Sequence, residues 1–87
     1  MAGYKLVFKR SVRKDLSCIP AKDVRLILQR IESLQHDPRP GNCEKLSAQE
    51  RYRVRQGIYR IIYEVRDDVL VVSVVKVGHR GHVYRNA

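Results

Sequence analysis

No apolar run in this sequence approaches the roughly 18–20 residues of a membrane span. The opening MAGYKLVFKRS has no sustained apolar stretch, so a secretory leader is not expected. Cysteine is scarce: Cys18 and Cys43 form no CxxC, and His36, His79 and His82 are too scattered to complete a metal set. That argues against a zinc site or a disulfide scaffold and for two free thiols buried as small apolar residues. Repeats and low-complexity tracts are absent. At 87 residues, a second independent core is not expected. These exclusions leave one soluble domain over residues 1–87, expected to be cytoplasmic or a mature fragment of something longer.

Acidic residues are also few. Asp plus Glu is 9 against 18 for Lys plus Arg, a net charge of +9 with a pI of about 10.1. A pI above about 9 flags nucleic-acid binders. The expected partner is a polyanion: RNA, DNA, an acidic protein or an anionic surface. The plainer alternative is that the charge only maintains solubility.

What is present reads as α+β. Tyr4, Leu6 and Phe8 alternate with Lys5, Val7 and Lys9 as in a strand. Val12, Leu16 and Ile19 then fall at helical spacing, with Ser11 as a candidate cap and Pro20 as a break that can begin the next helix. Val24, Ile27, Leu28, Ile31 and Leu34 form one apolar stripe of a second helix, which DPRPG at 37–41 ends. Residues 41–50 read as a loop. YRVR, IYRIIYEV and VLVVSVVKV are β-rich, with Gln56-Gly57 and Asp67-Asp68 as candidate turns. Two helices on a small antiparallel sheet, in the order β-α-α-β-β-β, is the expected architecture.

A two-residue Gln56-Gly57 turn would pair Arg53 with Arg60. Alternation then gathers Arg53, Arg55 and Arg60 on one face, and Tyr52, Val54, Tyr59, Ile61 and Tyr63 on the other. Opposed arginines repel, and nothing acidic lies between Arg51 and Arg60. The face therefore suits an external anion, since a guanidinium offers a fork of donors and stays charged. Splayed, solvated arginines are the alternative. A second cluster, KVGHRGHVYR, brings Lys76, His79, Arg80, His82, Tyr84 and Arg85 together after the last strand, with Gly78 and Gly81 letting the backbone turn back over the sheet. Cations, an imidazole and a phenol can hold a phosphate, move a proton and stack on a base.

YRVRQGIYRIIYEV (Tyr52–Val65) followed by VVSVVKVGHRGHVYR (Val71–Arg85) resembles the RelE side of the RelE/ParE toxin superfamily, and the helical KDV…DPRPG stretch fits it as well. The resemblance extends from Lys5 to Arg85, and GHR favours RelE-like over ParE-like members. It implies a toxin of a type II toxin–antitoxin pair. Such toxins are ribosome-dependent mRNA endonucleases, or mRNA interferases, that inhibit translation by cutting in the A site. They are hydrolases of RNA that use no metal or other cofactor: the RNA's 2′-OH attacks the adjacent phosphate, leaving a 2′,3′-cyclic end.

By the same resemblance Arg60 matches the phosphate-binding arginine. Arg80 matches the arginine that stabilises the transition state or aids the leaving group, and Tyr84 the tyrosine that stacks on or orients the mRNA. Arg53 and Arg55 stand where the best-known relative has lysines. An arginine cannot give up its proton as a lysine can, so the base must be another group. His79 is the candidate, with His82 next and Glu50 and Glu64 after them; positioning by the ribosome is the alternative. Arg51, Arg53, Arg55, Lys76 and Arg85 are expected to bind RNA phosphates.

A RelB-like antitoxin, the ribosome and mRNA are the implied partners, with no membrane. ParE-like relatives instead block DNA gyrase without cleaving anything. A non-catalytic RNA- or ribosome-binding module is the third reading.

Overall fold

The computed structural model describes residues 3–46 and 50–79. In chain order these form β1 (Lys5–Phe8), α1 (Arg10–Ser17), α2 (Ala21–Ser33), β2 (Glu44–Lys45), β3 (Arg51–Gln56), β4 (Tyr59–Arg66) and β5 (Val71–His79). The α+β class is the one expected, but the sheet has five strands in the order β1-β5-β4-β3-β2. The loop expected over 41–50 contains β2, which pairs antiparallel with β3. A two-residue strand has no periodicity to read. The sheet is mixed, because β1 joins parallel to β5 after the chain crosses over through both helices.

Both helices cover one face of the sheet. Val12 of α1, Ile27 and Ile31 of α2, and Leu34 just beyond it pack on Tyr52, Val54, Tyr59, Ile61, Tyr63, Val65, Val72, Val74 and Val77. Leu28, expected in the stripe, is 38% exposed. The thiols depart from expectation too: Cys18 is exposed and Cys43 only partly buried against the core. Ser11 does not cap α1, whose N-cap is Lys9 with no side-chain bond. The helix starts directly off β1, where the Lys9 amide still donates to the Val74 carbonyl. That sheet bond fixes the helix start before a cap can.

The β3–β4 turn falls one residue later than expected. Gln56 pairs with Tyr59, so Gly57 and Ile58 are its central residues. Positive φ occurs at Gly57 (62°) and not at Ile58. This is the pattern of a type II′ turn, which takes glycine at the first central position.

One end of the domain is tied by Arg39. Its guanidinium donates to Tyr52 Oη (2.8 Å), Glu50 Oε1 (2.6 Å) and Asp67 Oδ2 (2.7 Å). Lys45 reaches Glu50 (3.0 Å) and the Tyr4 hydroxyl reaches Asp67 (2.5 Å). The cluster joins the segment after α2 to the residue preceding β1, to β2 and β3, and to the β4–β5 turn. Arg39, then Lys45 and Tyr52, hold the Glu50 carboxyl down at about 2, from an ordinary 4.5. Asp67 is lowered by Arg39 and Tyr4.

A depressed carboxyl pKa contributes stability that is fully present above the unfolded value and is lost as pH falls through the folded one. The melting temperature should therefore fall between about pH 4.5 and pH 2. Arg39→Ala should melt lower at pH 7 and show a flatter acid limb. Equal acid limbs in thermal melts of the two proteins would show that Arg39 does not hold these carboxylates.

Candidate nucleic-acid interface

The sheet face opposite the helices carries the cations. Moving the turn by one residue changes each cross-strand partner by two, so the facing of every side chain survives. Arg55 pairs with Arg60, and Arg53 pairs with Ile62. Three rows cross this face: Arg55, Arg60 and Gly78; Glu44, Arg53, Ile62 and Lys76; and Arg51, Glu64 and Ser73. Arg53 and Arg60 are each only 8% exposed. Packing holds these guanidiniums in place, unlike the splayed, solvated arginines of the alternative reading.

The face is not purely cationic. Arg51 donates through Nη2 (2.5 Å) and Nε (3.1 Å) to Glu64 Oε2. Arg53 Nη2 donates to Glu44 Oε1 at 2.9 Å. Glu44 was invisible to sequence reasoning, because β2 lies outside the Arg51–Arg60 window and pairs through tertiary register. Its carboxyl is lowered chiefly by the hydrogen bond and charge of Arg53, with Arg55 and Arg60 adding to the effect. Of the other acidic candidates, Glu64 is on this face but committed to Arg51, and Glu50 belongs to the Arg39 cluster.

β5 decides which residues of the second cluster join the arginines. The register shifts between Ile62 and Tyr63: Tyr63 pairs with Val74, but Ile62 pairs with Lys76, leaving Val75 as an extra residue. One extra residue exchanges the faces of everything after it. The bulge thus sets Lys76 beside Arg53's row and Gly78 beside Arg60. It also sends His79 to the other face, opposite Tyr59, with the two rings edge-on at 5.9 Å. His79 therefore does not stand among the arginines, contrary to the position expected of a base for that face. Arg80, His82, Tyr84 and Arg85 lie outside the described residues.

α1 supports the bulged segment. β1 pairs only with Val71–Val74, and past that point α1 takes its place along the edge of β5. Asp15 accepts the Val77 amide through Oδ2 (3.1 Å), and its Oδ1 lies 3.8 Å from Lys76 Nζ. Asp15→Ala should cost about 1–2 kcal/mol through the orphaned amide and speed hydrogen exchange at Val77. Asp15→Asn, which keeps an acceptor oxygen, should restore most of the protection. Unchanged exchange at Val77 in the alanine variant would remove this support role.

Two helices on one face of a small sheet, with packed arginines on the other, define a basic α+β domain suited to holding a polyanion. Comparison with known proteins is specific. Residues 6–84 match the model of the ParE toxin of type II toxin–antitoxin systems, parDE, and the chain belongs to that family. Within the RelE/ParE superfamily it is a RelE-type toxin.

It is 26% identical over 84 residues to Toxin RelG of Mycobacterium tuberculosis, covering 94% of this chain and 97% of that one. It is 29% identical over 87 residues to the putative toxin RelE1 of Methanocaldococcus jannaschii, covering 95% and 97%. A chain of the archaeal RelE–RelB complex from Pyrococcus horikoshii superposes with a TM-score of 0.79 at 27% identity, covering 91% of this chain and 97% of that one. The isolated Escherichia coli RelE toxin shares the fold at a TM-score of 0.78 and 23% identity, covering 95% and 93%.

Proposed function

We propose that this type II toxin is a metal-independent, ribosome-dependent mRNA endonuclease cutting in the A site, a single toxin domain over residues 1–87 acting in the cytoplasm. The observation that carries the reading is the packed row of Arg55 and Arg60 beside Gly78, on a face the helices leave open. Gly78, directly across from Arg60, adds no side chain of its own to that row. In the proposed reaction the 2′-oxygen forms a bond to phosphorus and the P–O5′ bond breaks. The 2′-OH loses a proton, and O5′ gains one.

Arg60, with Arg53 and Arg55, stabilises charge on the phosphate oxygens. Lys76 and Arg51 are proposed to hold flanking phosphates, as is Arg85. Arg80 is proposed as the second phosphate contact and Tyr84 as the stacking platform. With His79 facing away from the arginines, charge stabilisation and positioning of the mRNA carry the proposed catalysis.

The partner proposed to restrain it is a RelB-like antitoxin, since chains of RelE–RelB complexes share the fold. An acidic, amphipathic antitoxin segment would match the +9 charge. The test is a purified translation system with programmed ribosomes and RNA ends mapped by primer extension. Cuts at the A-site codon that need the ribosome are expected. A folded protein that cuts at no codon would remove the reading. A DNA supercoiling assay would then separate a gyrase-blocking toxin from a passive RNA binder.

A further inference from the structure

We propose that Glu44 is a built-in counter-ion seated at Arg53, which an incoming phosphate displaces and which thereby sets the threshold for anion binding on the arginine face. The inference rests on the reading of that face as a phosphate surface. Glu44 and Arg53 are direct cross-strand partners, joined at 2.9 Å. A carboxylate and a phosphate present the same kind of oxygen acceptors to a guanidinium fork, so the two compete for one partner.

The two members of the pair are held unequally. Arg53 is 8% exposed and fixed by packing, whereas the Glu44 side chain is 54% exposed on a strand of two residues. When an anion arrives, Glu44 can turn into water at small cost, and Arg53 stays where it is. The neighbouring pair behaves differently: Glu64 sits on the longer β4 and receives both Nε and Nη2 of Arg51. Of the two carboxylates on this face among the described residues, Glu44 alone is therefore built to leave.

The consequence is a common threshold that weak ligands fail to clear. Displacing Glu44 costs the same for a lone phosphate as for a nucleic-acid strand. The strand spreads that cost over further contacts with Arg55, Arg60 and Lys76, and a lone phosphate cannot. The internal carboxylate thus keeps the face from filling with small anions.

The test measures binding of inorganic phosphate and of a short all-deoxy oligonucleotide, which lacks the attacking 2′-OH, to wild type, Glu44→Gln and Glu32→Gln. Glu32 is exposed on α2, away from the face, so its variant controls for the change in net charge. Glu44→Gln should tighten both ligands about five-fold at low salt, the scale of an exposed charge pair. Glu32→Gln should leave both nearly unchanged.

Equal effects of the two variants, or weaker binding in Glu44→Gln, would overturn the proposal. So would loss of cleavage in Glu44→Gln at unchanged oligonucleotide affinity, which would make Glu44 a reacting group. Tightened binding by a protein that cuts no mRNA, wild type included, would uphold the counter-ion and overturn the endonuclease reading instead.

Discussion

Replacing Arg60 with alanine should lower ribosome-dependent cleavage by about 100-fold or more, the usual cost of removing one donor aimed at developing negative charge. The guanidinium is fixed by packing, and its row holds Arg55 on one side and Gly78 on the other. No other side chain in that row can take its place, since Arg55 is exposed and Gly78 has none. Arg60→Lys should recover part of the rate, because a lysine restores charge without the two-pronged geometry. Stability should fall as well. Arg60 is 8% exposed, so its removal costs the packing around the side chain, offset in part by relief of the like-charge pairing with Arg55. Cleavage is therefore compared at a temperature where the Arg60→Ala protein is still folded, and a loss of cleavage there is the expected result. Full cleavage by a folded Arg60→Ala protein would place the chemistry elsewhere. Toxicity that persists without cleavage would point to a gyrase-blocking mode.

The same residues show what a sequence can and cannot disclose. The arginine face was legible because alternation has period two, and a turn misplaced by one residue moves every partner by two. Tyr52, Val54, Tyr59, Ile61 and Tyr63 were assigned to the buried face for the same reason, and they occupy it. His79 was expected after the last strand, in a segment turning back over the sheet; β5 instead runs through His79, and its extra residue at Val75 puts His79 on the face away from the arginines. The only trace of the bulge in VVSVVKVGH is that Ser73 and Lys76, both on the arginine face, stand three residues apart where even alternation requires two or four. Its position is set by tertiary contacts, among them the Val77 amide donating to Asp15 of α1, 62 positions away in the chain. Glu44 escaped notice for a related reason. Its strand is too short to carry a pattern, and its partner is chosen by sheet register. The family resemblance likewise drew attention to the motifs around Arg60 and Arg80, and Glu44 stands in neither.

The second helix gives the sharpest stability prediction, because its apolar stripe was drawn one residue too wide. At about 100° per residue, Val24, Ile27, Ile31 and Leu34 share an arc, and Leu28 falls about 80° from its centre. Ile31 is fully buried and Leu28 is 38% exposed, as that offset requires. Ile31→Ala should therefore cost about 2–5 kcal/mol, the transfer term plus a cavity beneath the sheet. Leu28→Ala should shift stability by no more than about 0.5 kcal/mol. Chemical denaturation of the two variants measures the contrast directly. In a domain of 87 residues the Ile31 loss is a large share of a total stability on the order of 4–13 kcal/mol. Equal losses at the two positions would mean that the α2 face is packed differently, with Leu28 turned towards the sheet. That rotation would shift the support beneath Val54 and Ile61, the neighbours of Arg53, Arg55 and Arg60 along β3 and β4, so cleavage and stability would then fall together in both variants.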